Sequence, residues 1–158
     1  MIGSDNTRRG FSTIEVLIVL AIAGILVTLS FGYLASSRPH ALLERAELEV
    51  SSRLLEARNL AVSEEIMTQI VFHVGNQDYR IMARDRDTLA WSDVSPYYTL
   101  PEGVTFTTTL PSGDAIFTPR GTLFVGGSVT LTSSTGESST LTGNLATGRF
   151  PILGGHLR

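Results

Sequence analysis

Gly10-Phe11-Ser12-Thr13-Ile14-Glu15, followed by VLIVLAIAGILVTLSFGYLASS over residues 16–37, decides how this chain is read. No charged residue occurs between Val16 and Ser37. As a helix rising about 1.5 Å per residue, that run is roughly 33 Å long, enough to cross the hydrocarbon core of a bilayer. Glu15 sets one carboxylate at its mouth. An acidic group there is costly unless something neutralises it, which makes Glu15 a functional-site candidate. Just ahead, Arg8 and Arg9 form a basic flank, and Gly10 is a small residue suited to a processing cut.

Two plainer readings of the same stretch exist. A cleaved secretory signal would carry an apolar core of only about 7–15 residues and a small-residue site after it. An ordinary signal anchor would leave Glu15 as a charge tolerated at the interface. The run is longer than the first allows, and its basic flank lies on the N-terminal side. The positive-inside tendency keeps Arg8 and Arg9 cytoplasmic and sends everything after Ser37 across the membrane. This predicts a single-pass protein of the inner (cytoplasmic) membrane with a periplasmic or extracytoplasmic C-terminal part.

Composition narrows the remainder. The formal charge is −3, and removing the first ten residues (Arg8 and Arg9 against Asp5, +1) leaves −4 from Phe11 onward. That balance gives no general attraction to nucleic acid or anionic lipid. Cysteine is absent, so neither disulfides nor thiolate metal sites contribute. All twelve basic side chains are arginine.

Beyond the apolar run the helix changes character. Leu43, Ala46, Val50, Leu54, Ala57 and Ala61 recur at steps of three and four, marking one buried face. Glu44, Arg45, Glu47, Glu49, Arg53, Glu56 and Arg58 fill most of the other positions and read as a solvated face, with Glu49 and Arg53 spaced for an i,i+4 pair. Gly24 and Gly32 permit close helix contacts, and Pro39 predicts a kink or local break. From Met67 the period becomes two. Strands are expected at 67–74 and 78–83 around a Gly75-Asn76 hairpin, then at 104–110, 115–118, 122–125, 129–132 and 139–142. Arg84-Asp85-Arg86-Asp87 reads as a charged loop. More than half of the residues from Val104 to Gly148 are Ser, Thr or Gly, but Val, Leu and Phe alternate with them as half-buried strands require. The expected fold is α+β: a long N-terminal helix, membrane half plus amphipathic half, packed on an antiparallel β-sheet domain.

The Gly-Phe-x-x-x-Glu signal with its basic leader and apolar run resembles the class III signal of type IV prepilins and pseudopilins. The resemblance implies a leader over 1–10, a transmembrane helix over 11–37, its amphipathic continuation over 38–65 and a β-rich domain over 66–158. It implies that a prepilin peptidase cuts between Gly10 and Phe11, that Phe11 is N-methylated, and that Glu15 directs assembly with other subunits. Three further stretches resemble the minor pseudopilin H and FimT branch: Leu54 to Glu65, Ile116-Phe117-Thr118-Pro119-Arg120-Gly121-Thr122, and the expected strand Thr147-Gly148-Arg149-Phe150. The branch implies a structural subunit of the type II secretion pseudopilus, or alternatively a minor type IV pilin in pilus assembly or DNA uptake. DNA-binding relatives use Gly-Arg-x-Arg. Here Gly148-Arg149-Phe150-Pro151 lacks the second arginine, so DNA is not an expected partner and Arg149 offers only a weak DNA contact; its better reading is a strand arginine pairing an acid or capping carbonyls.

Nothing points to an enzyme, a cofactor or a metal. His40, His73 and His156 are far apart without metal-ligand spacing. Asp85 and Asp87 could suggest calcium, but the spacing and closing Glu of an EF-hand are missing. Glu64-Glu65 fits a helix-end surface, and Trp91, Tyr97 and Tyr98 read as core or interface packing. The expected partners are prepilin peptidase, other pilin or pseudopilin subunits and inner-membrane lipid.

Overall fold

The computed structural model describes residues 12–153, with side chains described for 12–28 and 38–151. The chain divides at Ser37–Arg38 into two compact units. Helix α1 runs over Thr13–Ser63, with Pro39 inside it. Proline lacks the N–H that would bond four residues back. The structure loses that bond yet keeps the helix, so the expected local break at Pro39 is not there.

In the second unit α1 stops where expected. Ile66 donates its N–H to the Ala61 carbonyl at 3.2 Å. Glu65 turns left-handed at φ 53°, a Schellman-type end made without the usual glycine. The exposed Glu64 and Glu65 thus form the helix-end surface read from the sequence.

Strands β1 (Thr68–His73), β2 (Asp78–Arg84), β3 (Trp91–Asp93), β4 (Tyr98–Thr99), β5 (Val104–Thr108), β6 (Asp114–Phe117), β7 (Ser128–Ser133), β8 (Ser138–Thr142) and β9 (Ile152–Leu153) follow. They form two antiparallel sheets. One has the order β3-β2-β1-β6, with β4 also on β2; the other has the order β5-β7-β8-β9. β1 and β2 pair from Thr68 with Ala83 to His73 with Asp78, which confirms the hairpin. Its left-handed residue is Gln77 at φ 56°, not Gly75. The expected strand over 122–125 is only a single bridge between Leu123 and Phe117, because Gly121 and the Gly126-Gly127 pair end any extended run there.

The six predicted helix residues, Leu43 to Ala61, are all buried. They meet Ile70, Phe72, Tyr79, Ile81, Phe117, Phe106, Val129, Leu131 and Leu141 from the inner faces of both sheets in one core. Phe72 packs at 5.6 Å from Tyr79 and 5.5 Å from Phe106, ring centre to ring centre. The hydroxyl-rich strands resolve the same way. Val129 and Leu131 point inward, while Thr130 and Thr140 face out opposite each other, their hydroxyls 3.1 Å apart.

The edge strand β5 is closed by a side chain. Gln77 accepts from the Phe106 N–H at 2.7 Å and donates to the Phe106 carbonyl at 3.2 Å, standing in for a neighbouring strand. Open edges invite pairing with another chain. Gln77→Ala should therefore cost about 1–3 kcal/mol, the range for orphaned buried polar groups. Urea unfolding followed through Trp91, the single tryptophan, measures this; an unchanged midpoint would show that the edge does not need the cap.

Candidate functional site

The signal lies at the start of α1. Gly10 and Phe11 fall outside the described residues. Glu15 sits in the first helical turn, its N–H bonded to the Ser12 carbonyl at 3.0 Å. Every described side chain from Ser12 to Thr28 is exposed, including Ile14, Leu17, Leu20, Ile25 and Leu26. A helix apolar on all sides needs lipid or other helices around it. Thr28 hides its hydroxyl by donating to the Ile25 carbonyl at 2.8 Å and the Gly24 carbonyl at 3.0 Å. Gly24 has nothing within 4 Å of where a Cβ would stand, so no packing within the chain calls for its small size. Among the described residues no helix is long and apolar enough to cross a membrane. Those with described side chains in this stretch end at Thr28, and the charge-free sequence continues to Ser37.

The outward face of α1 in the second unit is not the uniformly solvated surface expected. Leu48, Leu55 and Val62, at seven-residue intervals, are 69%, 51% and 45% exposed. A seven-residue apolar repeat keeps one stripe of a helix turned toward a partner. The sequence held this signal, but the stronger stripe at Leu43–Ala61 masked it. The expected Glu49–Arg53 pair is replaced by Arg53–Glu56 at 2.7 Å, because the Arg53 guanidinium lies over the Tyr98 ring, 4.1 Å from its centre. Beneath it Tyr79 is buried, and burial first, then the charge of Glu49, push its ionisation well above the ordinary range.

Arg58 departs furthest from a solvated role. Its Nε donates to the Gly121 carbonyl at 2.9 Å and to the Thr147 carbonyl at 3.1 Å. The helix end, the turn after Pro119 and the Thr147-Gly148 segment therefore meet at one guanidinium. Those are the three stretches that carried the branch resemblance. Gly121 (φ 74°) and Gly148 (φ 60°) are both left-handed, and a Cβ on Gly148 would stand 2.0 Å from the Gly121 carbonyl oxygen. Thr147 and Gly148 lie in a turn, and in place of the expected strand only a single bridge follows, Arg149 to Asn144, whose N–H donates to the Arg149 carbonyl at 2.8 Å. Arg149 is exposed and, among the described residues, caps no carbonyl; Arg58 does that work.

The other candidates resolve as local structure. The Asp85 carboxylate accepts from the Thr88 N–H at 2.7 Å, the Thr88 hydroxyl at 2.9 Å and the Asp87 N–H at 3.0 Å. These bonds, all to Oδ1, hold its pKa below the usual carboxylate value, the Thr88 ones most, and make Asp85 the acceptor that closes its own turn. His40 does have a carboxylate four residues on: it lies 3.3 Å from Glu44 and 3.0 Å from Glu137. His73 lies 2.7 Å from Asp78. Among the described residues no group of His, Asp or Glu is gathered to hold a metal. Tyr98 packs against the core, whereas Tyr97 is exposed between His73 and Arg80.

Arg58→Gln should lower stability by about 1–3 kcal/mol, the cost of leaving the part-buried Gly121 carbonyl short of a donor. Gly148→Ala should cost more, since it adds both a clash and left-handed strain. Thermal unfolding of the two variants measures the ordering; equal, small shifts would show that the clasp is slack.

A family model, the prokaryotic N-terminal methylation motif, matches residues 5–31. No curated protein matches the chain. Among solved structures, the minor pseudopilin EpsH from the Type 2 Secretion System of Vibrio cholerae aligns at 14% identity and TM-score 0.60, over 70% of this chain and 95% of that one. The type IV minor pilin FimU of Pseudomonas aeruginosa aligns at 19% identity and TM-score 0.57, over 71% of this chain and 93% of the other. At such identities the likeness is one of fold; the first is described as a minor pseudopilin and the second as a type IV minor pilin. The chain thus carries an N-terminal methylation motif ahead of a fold like that of the minor pilins and pseudopilins.

Proposed function

We propose that the chain is a minor pseudopilin of the type II secretion pseudopilus, held in the inner membrane by residues 11–37 and then built into a filament. The observation that carries this is the distribution of exposed apolar side chains. From Ile14 to Val27 they surround α1, and from Leu48 to Val62 they line its outer face. Neither set is covered within the chain. Lipid satisfies the first set in the waiting subunit, and neighbouring helices satisfy both after assembly. In this reading the prepilin peptidase removes residues 1–10 and Phe11 becomes an N-methylated amine that keeps its charge. Glu15 of one subunit then pairs with the Phe11 amine of the next, so that neither charge enters the apolar filament core alone.

The likeness to EpsH supports the secretion assignment, and the meeting of the three branch motifs at Arg58 supports the H/FimT branch. The likeness to FimU supports a second reading, a minor type IV pilin. DNA uptake has less behind it: Arg149 is one exposed cation followed by Phe150 and Pro151, on a chain of net negative charge.

Glu15→Val should stay in the membrane fraction but fail to enter filaments; filaments containing it at the wild-type level would reject the pairing role. Gly10→Val should accumulate as a precursor, and a mass spectrum of that variant beginning at Phe11 would overturn the cleavage assignment. Deleting the gene separates the two readings, by loss of secretion in one case and loss of pili in the other.

A further inference from the structure

An open groove of about 650 Å³ lies at the start of the second unit, lined by Arg38, Ala41, Leu42 and Arg45 of α1 and by Glu102 and Gly103 ahead of β5. Arg38 and Arg45 are seven residues apart, so two helical turns set them on one face with Ala41 and Leu42 between. Among the described residues neither guanidinium nor the Glu102 carboxylate has a hydrogen-bonded or ionic side-chain partner. The nearby charges are otherwise engaged, with His40 between Glu44 and Glu137.

Position adds the second half of the argument. Arg38 is the first charged residue after the apolar run that ends at Ser37. For a chain whose leader arginines stay cytoplasmic, a cation at this opposite end works against the orientation and calls for a local anion. The anion found at that depth is lipid phosphate. Glu102 discriminates among phosphates: it repels a simple anion but suits a headgroup that also carries an ammonium. We propose that the groove binds the headgroup of an amine-bearing zwitterionic phospholipid, its phosphate between Arg38 and Arg45 and its ammonium at Glu102. This rests on the membrane-anchored reading above. A site of this kind would hold the waiting subunit at a fixed depth and rotation.

The test uses the full-length chain in detergent micelles, titrated with dioleoylphosphatidylethanolamine, dioleoylphosphatidylglycerol or inorganic phosphate, with bound species read by native mass spectrometry. Wild type should retain the ethanolamine lipid about tenfold better than the glycerol lipid, the scale of one charge-assisted hydrogen bond. Glu102→Gln should erase that preference, and Arg38→Gln with Arg45→Gln should lose both lipids. All three residues are exposed, so the fold should survive, as thermal unfolding will confirm. Equal retention of both lipids by wild type, retention by the double arginine variant, or displacement of lipid by inorganic phosphate would each overturn the proposal. Flotation with vesicles of the ethanolamine lipid and phosphatidylcholine separates the two levels. If wild type does not float, the anchored reading fails and takes this one with it; if it floats without lipid preference, only the headgroup site fails.

Discussion

The globular unit depends on how closely α1 can approach two sheets at once. Ala46, Ala57 and Ala61 have no exposed surface, and between them Val50 and Leu54 supply the bulk that fills the inter-sheet space. Small residues at those turns let the backbone of the helix itself take part in the contact. The buried Thr68 hydroxyl donates to the Ala57 carbonyl at 2.7 Å, tying the helix to the first residue of β1. A larger side chain at Ala57 would push that strand away and, with it, the β1-centred sheet. Interiors at crystal-like density absorb such a change poorly.

Arg58 extends the same anchoring to segments with no regular structure. Gly121 and Thr147 are far apart in sequence, and each lies in a turn with left-handed backbone where strand bonding has stopped. Their carbonyls need a donor, and an arginine one residue after the buried Ala57 is placed to supply it. Nε serves both carbonyls, which a lysine could not do with the same planar geometry. The all-arginine composition, unexplained by any charge argument, has at least this local use.

The two periods were plain in the sequence because each reports a single strong force. The six-residue core stripe, the hairpin and the strands near β5, β7 and β8 all follow from burying one face. What the sequence concealed depends on partners distant along the chain. Nothing near Arg58 says that its acceptors lie at Gly121 and Thr147. Tyr98 diverts Arg53 from Glu49 to Glu56, and a helix-only reading has no place for that ring. Strand 122–125 failed because β-prone side chains cannot extend a backbone that Gly121 has already turned. Glu15, by contrast, stands out as a candidate site in the sequence because its cost is local, being one charge before an uncharged run.

In the filament reading proposed above, the helix serves two different hosts with different rules. Along Leu43–Ala61 one face is committed to the sheets, and specificity comes from residue size. Along Ile14–Val27 no face is distinguished, so packing alone cannot set which neighbour sits where or in what register. A lone charge can do so, because an unpaired carboxylate in an apolar surround is penalised far more than a shifted methyl group. In the same way the exposed stripe Leu48–Leu55–Val62 offers area without direction, and the charged residues at its margins, Glu44, Arg45 and Glu56, are what can make one alignment with a neighbour better than the next.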